Sequence, residues 1–272
     1  MLFRLAFAFV SMAALLVDPI DAISQDMLRS VDLDSPDMTV SEMTRAEVDA
    51  LLEVAHQEPA NQRTAVFEGK RLSRLDLSGL DFSGVNLRLA KLNRASLKGA
   101  RFDEAILNQA WLIDADLTEA SLVKASLLGT QMQRAKLGGA DLSGARITAD
   151  LSGASLIGAK LAGADLSADM RNQSMGLMRG VLKSADLRNA DLSGANLSRA
   201  DLKFAKLQNA NLANCNLSRA DLVGADLSGA NLAGADFTET DLASALLPSA
   251  AALAGTRNLD KARNLNLARR PN

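Results

Sequence analysis

Three aspartates spaced twenty residues apart, Asp201, Asp221 and Asp241, are the first residues in this sequence whose type and interval suggest chemistry. Brought into register, they would make an oxygen-rich site of the kind that hard cations take. Arg199 and Arg219 stand two residues before the first two, so the better reading is paired, solvated turn residues and no metal site. The chain has one histidine, His56, and one cysteine, Cys215. Sites built from several His or Cys ligands are therefore excluded, as is an intrachain disulfide. No glycine-rich phosphate loop appears, and acid–base work by carboxylates would need a cleft. No enzyme, cofactor or small-molecule substrate is expected.

The rest of the chain explains the interval of twenty. With Leu72 marked as position i and a step of five, positions 72 to 147 are apolar without exception. The register then contracts by one residue, resumes from Leu151 to Leu166, breaks, and runs again from Leu182 to Leu247. Of these 34 repeats, 29 carry Leu at i, 26 carry Ala at i−2 and 18 carry Asp or Asn at i−1, while 13 of the 18 glycines fall at i+2. A period of five suits neither regular element. On a helix the leucines would wrap every face, and a strand alternates with period two. Positions i−2 and i must share one side of a short extended segment, and the other residues must turn a corner. Gly tolerates the φ values a corner needs, and Asp, Asn and Ser can bond the turn backbone. The chain coils with Ala and Leu inside, which suits a sequence with no Tyr and a single Trp.

The Ala-(Asp/Asn)-Leu-x-x motif, repeated through residues 70–247, resembles the pentapeptide-repeat family. That resemblance implies an all-β fold, a right-handed quadrilateral β-helix with four pentapeptides per coil. At ~4.8 Å between coils the rod would be roughly 40 Å long. Residues twenty apart would then stack. Phe82 would lie on Phe102 in the core, the three aspartates would form a column, and Cys215 at i−2 would be a buried, inert replacement for Ala.

The flanks read differently. Residues 1–22 have the layout of a secretory signal peptide: Arg4, an apolar run of 13 residues from Leu5 to Val17, a break at Asp18-Pro19 and a cleavage site after Ala22. The run is shorter than the ~20 residues of a membrane span, so export is expected. Residues 23–43 read as an acidic linker, with a net charge of −7 over 23–60. Thr44 and Glu47 have capping-box spacing. Val48, Leu51, Leu52 and Ala55 then predict an amphipathic helix over 44–56, with His56 solvated at its end. An open solenoid needs its ends covered. Residues 44–69 are expected to serve as capping helix and lead-in, and 248–272 as a small C-terminal cap with a helix near 249–254 and a basic tail.

Two surface features bear on function. The break at 167–181 departs from the register, and its Met170, Met175, Leu177 and Met178 offer an adaptable binding surface or an insertion lying on the rod. Ile106 and Trp111 at i−1, with Ile113, Val123 and Leu128 at i+1, place large apolar groups outside, to be covered by another part of the chain or by a partner. Leu246, Leu247 and Leu253 would suit an end-to-end homodimer of the kind some family members form. The expected function is a non-catalytic, exported scaffold or protein–protein interaction module whose partner is not named by the sequence. The alternative implied by the resemblance is a DNA-mimicking protein that binds and protects gyrase. Against it stand the signal peptide and a charge of +2 over 70–247, which provides no phosphate-like acidic face. Binding to nucleic acid is not expected either.

Overall fold

The computed structural model describes residues 31–58, 67–170 and 178–270. The expected signal peptide, the linker as far as residue 30, and Met175 and Leu177 lie outside them. The chain divides into two compact units, Met1–Asp32 and Leu33–Asn272, and the second contains the repeats.

From Lys70 onward the chain winds in a coil held by parallel one-residue bridges. Arg71 pairs with Lys91 and Lys91 with Trp111; parallel ladders starting at Asp76, Asp81 and Asn86 run beside this one. The four ladders define the first to fourth faces, and the step of twenty between partners sets four repeats per coil.

Backbone hydrogen bonding explains the consensus. The N–H of i−1 donates to the preceding coil (Ser96 to Leu75 O, 2.9 Å), while those of i and i+2 donate to the following coil (Leu77 to Ser96 O, 2.8 Å; Gly79 to Lys98 O, 2.9 Å). The N–H of the next i−2 closes the turn (Ala90 to Leu87 O, 3.1 Å). Only the N–H of i+1 is left over, and a backbone donor needs a partner. Asp or Asn at i−1 supplies it: Ser83 N–H donates to Asp81 Oδ1 at 2.9 Å and Ser143 N–H to Asp141 Oδ1 at 3.0 Å. The Asp/Asn column therefore completes the hydrogen bonding of the repeat by an Asx turn.

The corner residue at i+2 has φ between +55° and +73° from Arg74 to Ser244, outside the two irregular corners described below. Glycine was the expected occupant, yet Arg, Glu, Asn, Leu89 and Phe204 also take this left-handed conformation. The ladder bonds on either side hold the corner and offset its intrinsic cost.

Inside, the leucines at i and alanines at i−2 are buried throughout, from Leu72 to Leu247. Each buried Leu contributes ~1.5–3 kcal/mol of transfer free energy. Three polar residues at i−2 follow one rule. Thr130 Oγ1, Cys215 Sγ and Thr240 Oγ1 donate to the carbonyls of Leu107 (2.9 Å), Leu192 (2.7 Å) and Leu217 (2.7 Å), each 23 residues back.

Both breaks in register fall at the corner between the fourth and first faces, in consecutive coils. Gln131 bridges to Asp150 across the one-residue contraction, and Asp150 bridges to Val181 across the insertion. The neck of the insertion is closed by Asp169 N–H on Met178 O at 2.8 Å, and Gly180 N–H returns to Leu166 O at 3.0 Å.

Among the described residues, three α-helices flank the coil: α1 (Pro36–Thr39), α2 (Arg45–Gln57) and α3 (Ala250–Leu253). The reciprocal Thr44–Glu47 capping box starts α2, and its Val48 and Leu52 join the same core as Phe67 and Leu72. Among the described residues, no earlier coil occupies the outer carbonyls of the first one. Arg71 O instead accepts Glu42 N–H at 3.0 Å, and the Arg45 guanidinium donates to Asp76 O and Ser78 O at 2.8 and 3.0 Å. His56, expected in solvent, is half-buried with Nε2 shielded.

Past Leu247 the step lengthens to six. Arg257, Arg263 and Arg269 open successive segments and bridge to Asp236, Asp241 and Leu246. Asn258 and Asn264 turn the corners at φ +55° and +57° and donate to Asp236 and Asp241 at 3.0 and 2.9 Å. This closing coil, with α3, leaves Leu247 and Leu253 buried and Leu246 half-buried. Leu247 and Leu253 therefore do not form the exposed surface that an end-to-end pairing would use.

Candidate functional site

At three places the Asx acceptor moves. Where i−1 is Trp111, Ser121 or Ser126, the stranded N–H of i+1 is taken by an Asn or Asp at i+1 of the preceding coil. Ile113 N–H donates to Asn93 Oδ1 at 3.0 Å, Val123 N–H to Asp103 Oδ1 at 3.2 Å and Leu128 N–H to Asn108 Oδ1 at 3.1 Å. Relocation frees the i−1 position from its turn duty, so Trp111 can stand there. The residues that make this possible, Asn93, Asp103 and Asn108, were not singled out by sequence reasoning. Their signal was Asn or Asp at i+1, twenty residues before a repeat with no Asx at i−1.

The five apolar residues expected to form one exterior cluster occupy three faces, because every five-residue step turns a corner. Ile106 (38% exposed) and half-buried Leu128 lie on the fourth face, Trp111 and Ile113 on the first, and Val123 on the third. Ile113 is 4% exposed and lines a shallow concavity with Leu33, Met38, Asn93 and Arg134, so the segment that carries α1 covers it. Ile106, Trp111 and Leu128 remain around the corner between the fourth and first faces, with Leu89 at its turn, 43% exposed. The insertion meets this corner. The Met178 methyl lies 3.4 Å from where a Cβ on Gly129 would stand, while Met170 is 49% exposed.

The aspartate column exists, since Asp201, Asp221 and Asp241 pair in one ladder. Its environment differs from the solvated, Arg199- and Arg219-paired one expected. Asp201 is 1% exposed, with Arg179 at 3.3 Å and Lys183 at 3.5 Å. Asp221 pairs with Lys203 at 3.1 Å and Asp241 with Arg263 at 3.8 Å, while Arg219 turns to Glu239 at 2.9 Å. Burial raises the pKa of Asp221 despite Lys203. Arg179 also donates to Arg199 O at 3.4 Å, so this buried carboxylate anchors the returning end of the insertion. Among the described residues, no cluster of His, Cys, Asp or Glu is arranged to hold a metal ion. Cys215 is buried, and its thiol is pushed up to about 12 by that burial.

The chain matches the sequence model of a family described as pentapeptide repeats in eight copies, over residues 71–109, 111–148, 149–168, 181–219 and 205–243, more than half of its length. Among solved structures it is similar to HetL, a pentapeptide repeat protein involved in heterocyst differentiation regulation from the cyanobacterium Nostoc sp. strain PCC 7120. The identity is 30%, the match covers 84% of this chain and 95% of that one, and the TM-score is 0.48. Full-length QnrB1, a plasmid-mediated fluoroquinolone resistance protein, is 21% identical, with 76% and 87% covered and a TM-score of 0.43. A pentapeptide repeat protein of the Arabidopsis thaliana thylakoid lumen is 26% identical, with 67% and 72% covered and a TM-score of 0.22. No curated protein matches the chain.

Proposed function

Since the chain belongs to the pentapeptide-repeat family, whose coils form a right-handed β-helix, we propose that it is a non-catalytic, exported interaction module. It binds a partner protein along the corner between its fourth and first faces. One observation carries this reading. Moving the Asx acceptor to Asn93 and Asn108 keeps the backbone bonded around Ile113 and Leu128, while Trp111 takes an exterior position that in most repeats holds a polar residue. Partly exposed aromatic and apolar side chains on a rigid scaffold are the usual anchors of protein interfaces. Export rests on the layout of residues 1–22.

Two measurements test the proposal. Intact mass and amino-terminal sequencing of the protein from fractionated cells should give a mature start at Ile23 outside the cytoplasm; full-length protein in the cytosol would remove export. A photoreactive residue at position 106 should yield a discrete cross-linked adduct in cells that one at position 158, on another face, does not. Equal labelling from both positions would remove the proposed surface. The alternative, gyrase protection of the kind implied by the resemblance, would appear as relief of quinolone inhibition in a supercoiling assay. The pairing of Asp201, Asp221 and Asp241 with cations weighs against their acting as a phosphate-like row.

A further inference from the structure

The first face of the first coils is basic. Lys70, Arg71, Arg74, Lys91 and Arg94 line it, and Arg134 continues the row beyond Asp114, which Arg134 grips at 2.8 Å through two hydrogen bonds. The segment Leu33–Glu42 lies on this row with complementary charge. Asp34 reaches Arg94 at 3.3 Å, Asp37 pairs with Lys91, and Glu42 meets Lys70 and Arg71 at 3.3 Å each. One apolar anchor sits among the acids: Met38, 7% exposed, whose carbonyl accepts Asn93 Nδ2 at 3.4 Å.

The cover is thin. Its helix α1 is four residues long, and the Asp34 and Asp37 side chains are 81% and 59% exposed. Exposed ion pairs hold weakly and are screened by salt. Beneath the cover, Ser73, Asn93 and Ile113 occupy outward positions and are nonetheless buried. Some segment of this chemistry must keep them dry, but it need not be this one.

We propose that this basic surface is a binding site for an acidic, extended segment of a partner protein carrying a large apolar anchor in the pattern Asp-x-x-Asp-Met, and that residues 33–42 occupy it until that partner displaces them. The site adjoins the corner at Ile106 and Trp111, since Lys91 bridges to Trp111, but it uses other side chains, and the test below uses purified components, so it can fail while that corner stands.

The probe is a fluorescent synthetic peptide with the sequence of residues 31–43, titrated into full-length protein and followed by anisotropy. The D34K/D37K variant weakens the resident segment without touching the core. The peptide should bind this variant at least tenfold more tightly than wild type, more weakly as salt rises, and not at all once R94E is added. D37N, a milder change, should give an intermediate affinity and serves if the double variant is poorly folded by circular dichroism. Absence of binding to folded D34K/D37K or D37N would overturn the proposal, as would binding that survives R94E. An equal affinity for a poly-glutamate peptide would show plain charge attraction without an anchored motif and would also overturn it. Concentration-dependent dimers of wild type that M38D abolishes would assign the surface to a second copy of this chain instead of a partner.

Discussion

Asn93 Oδ1 accepts the backbone N–H of Ile113 one coil later, at 3.0 Å, and so performs from a neighbouring coil the task that an Asx at position 111 would perform within its own repeat. Asn108 does the same for Leu128 at 3.1 Å.

This exchange can be tested by moving the acceptor back. Asn108→Ala strands the Leu128 N–H and should lower stability by about 1–3 kcal/mol, the cost of an unmet donor. Adding Ser126→Asp restores an Asx at i−1 in the same repeat and should recover most of the loss. Urea denaturation of wild type, N108A and N108A/S126D decides the matter. Failure of the second substitution to recover any stability would show that the two columns are not interchangeable.

Phe82 and Phe102 stack with ring centroids 5.0 Å apart and planes 4° apart, and Phe67 meets Phe82 edge-on at 5.8 Å. Phe102→Ala opens a cavity under the first coils and should cost about 3–5 kcal/mol. Phe102→Leu, the consensus residue, should cost distinctly less. The two melting curves make the comparison, and equal losses would mean that the stack itself contributes nothing beyond volume.

The Phe82–Phe102 stack was legible in the sequence because the period of five, joined to the four-sided coil that the family resemblance implies, brings residues twenty apart into register. The buried Leu and Ala columns follow the same way, and the start of α2 was marked by Thr44 and Glu47. What period cannot carry is where the faces lie around the rod. Val123 and Trp111 look close in sequence yet stand on different faces, and Asp201 is buried because Arg179 returns from a break that has no register. The six-residue step of the closing coil escaped for a related reason. Its Arg-Asn-Leu segments repeat only twice before Arg269, too few for a column to declare itself. Left-handed Arg74 and Phe204 were unreadable because their conformation is imposed by ladder bonds to the next coil, not by their own preferences.

Gly224 and Phe204 provide a test of those corners. A Cβ on Gly224 would meet Phe204 Cδ1 at 2.6 Å, whereas one on Gly194 would meet nothing within 4 Å, and both residues have φ near +66°. Gly194→Ala should therefore cost only the left-handed penalty of ~1–2 kcal/mol. Gly224→Ala should cost more, and Phe204→Ala in that background should return it to the Gly194→Ala level. If the two alanines are equally destabilising from the start, the ring moves aside without cost.

Cys215 should be silent to thiol reagents in the native protein, since burial holds its thiol protonated with a pKa of about 12 and only the thiolate is nucleophilic. Labelling at pH 8 should occur at the rate of unfolding and accelerate with urea. Cys215→Ala restores the consensus residue, and Leu192 O keeps its bond from Ala195 N–H at 3.0 Å, so stability should shift by less than about 1 kcal/mol. Fast labelling in the absence of denaturant would contradict the packing at this position.

Two carboxylates should give opposite pH slopes. The Arg134 guanidinium holds Asp114 below the usual carboxylate range, against a smaller opposing effect of burial. A lowered folded-state pKa means that the unfolded chain binds the proton more tightly, so the stabilisation is complete above the unfolded value of about 3.9 and is lost as pH falls through the folded value. The stability gap between wild type and R134M should therefore be full at pH 6 and close toward pH 3. For Asp221, burial raises the pKa, so the folded chain binds the proton more tightly. Its contribution declines as pH rises from about 3.9 through the folded value, and wild type should lose ground to D221N over that interval. Urea denaturation of the three proteins between pH 3 and pH 6 measures both slopes. Parallel slopes for R134M and D221N relative to wild type would show that the coil does not distinguish a carboxylate on its corner from one within its ladder.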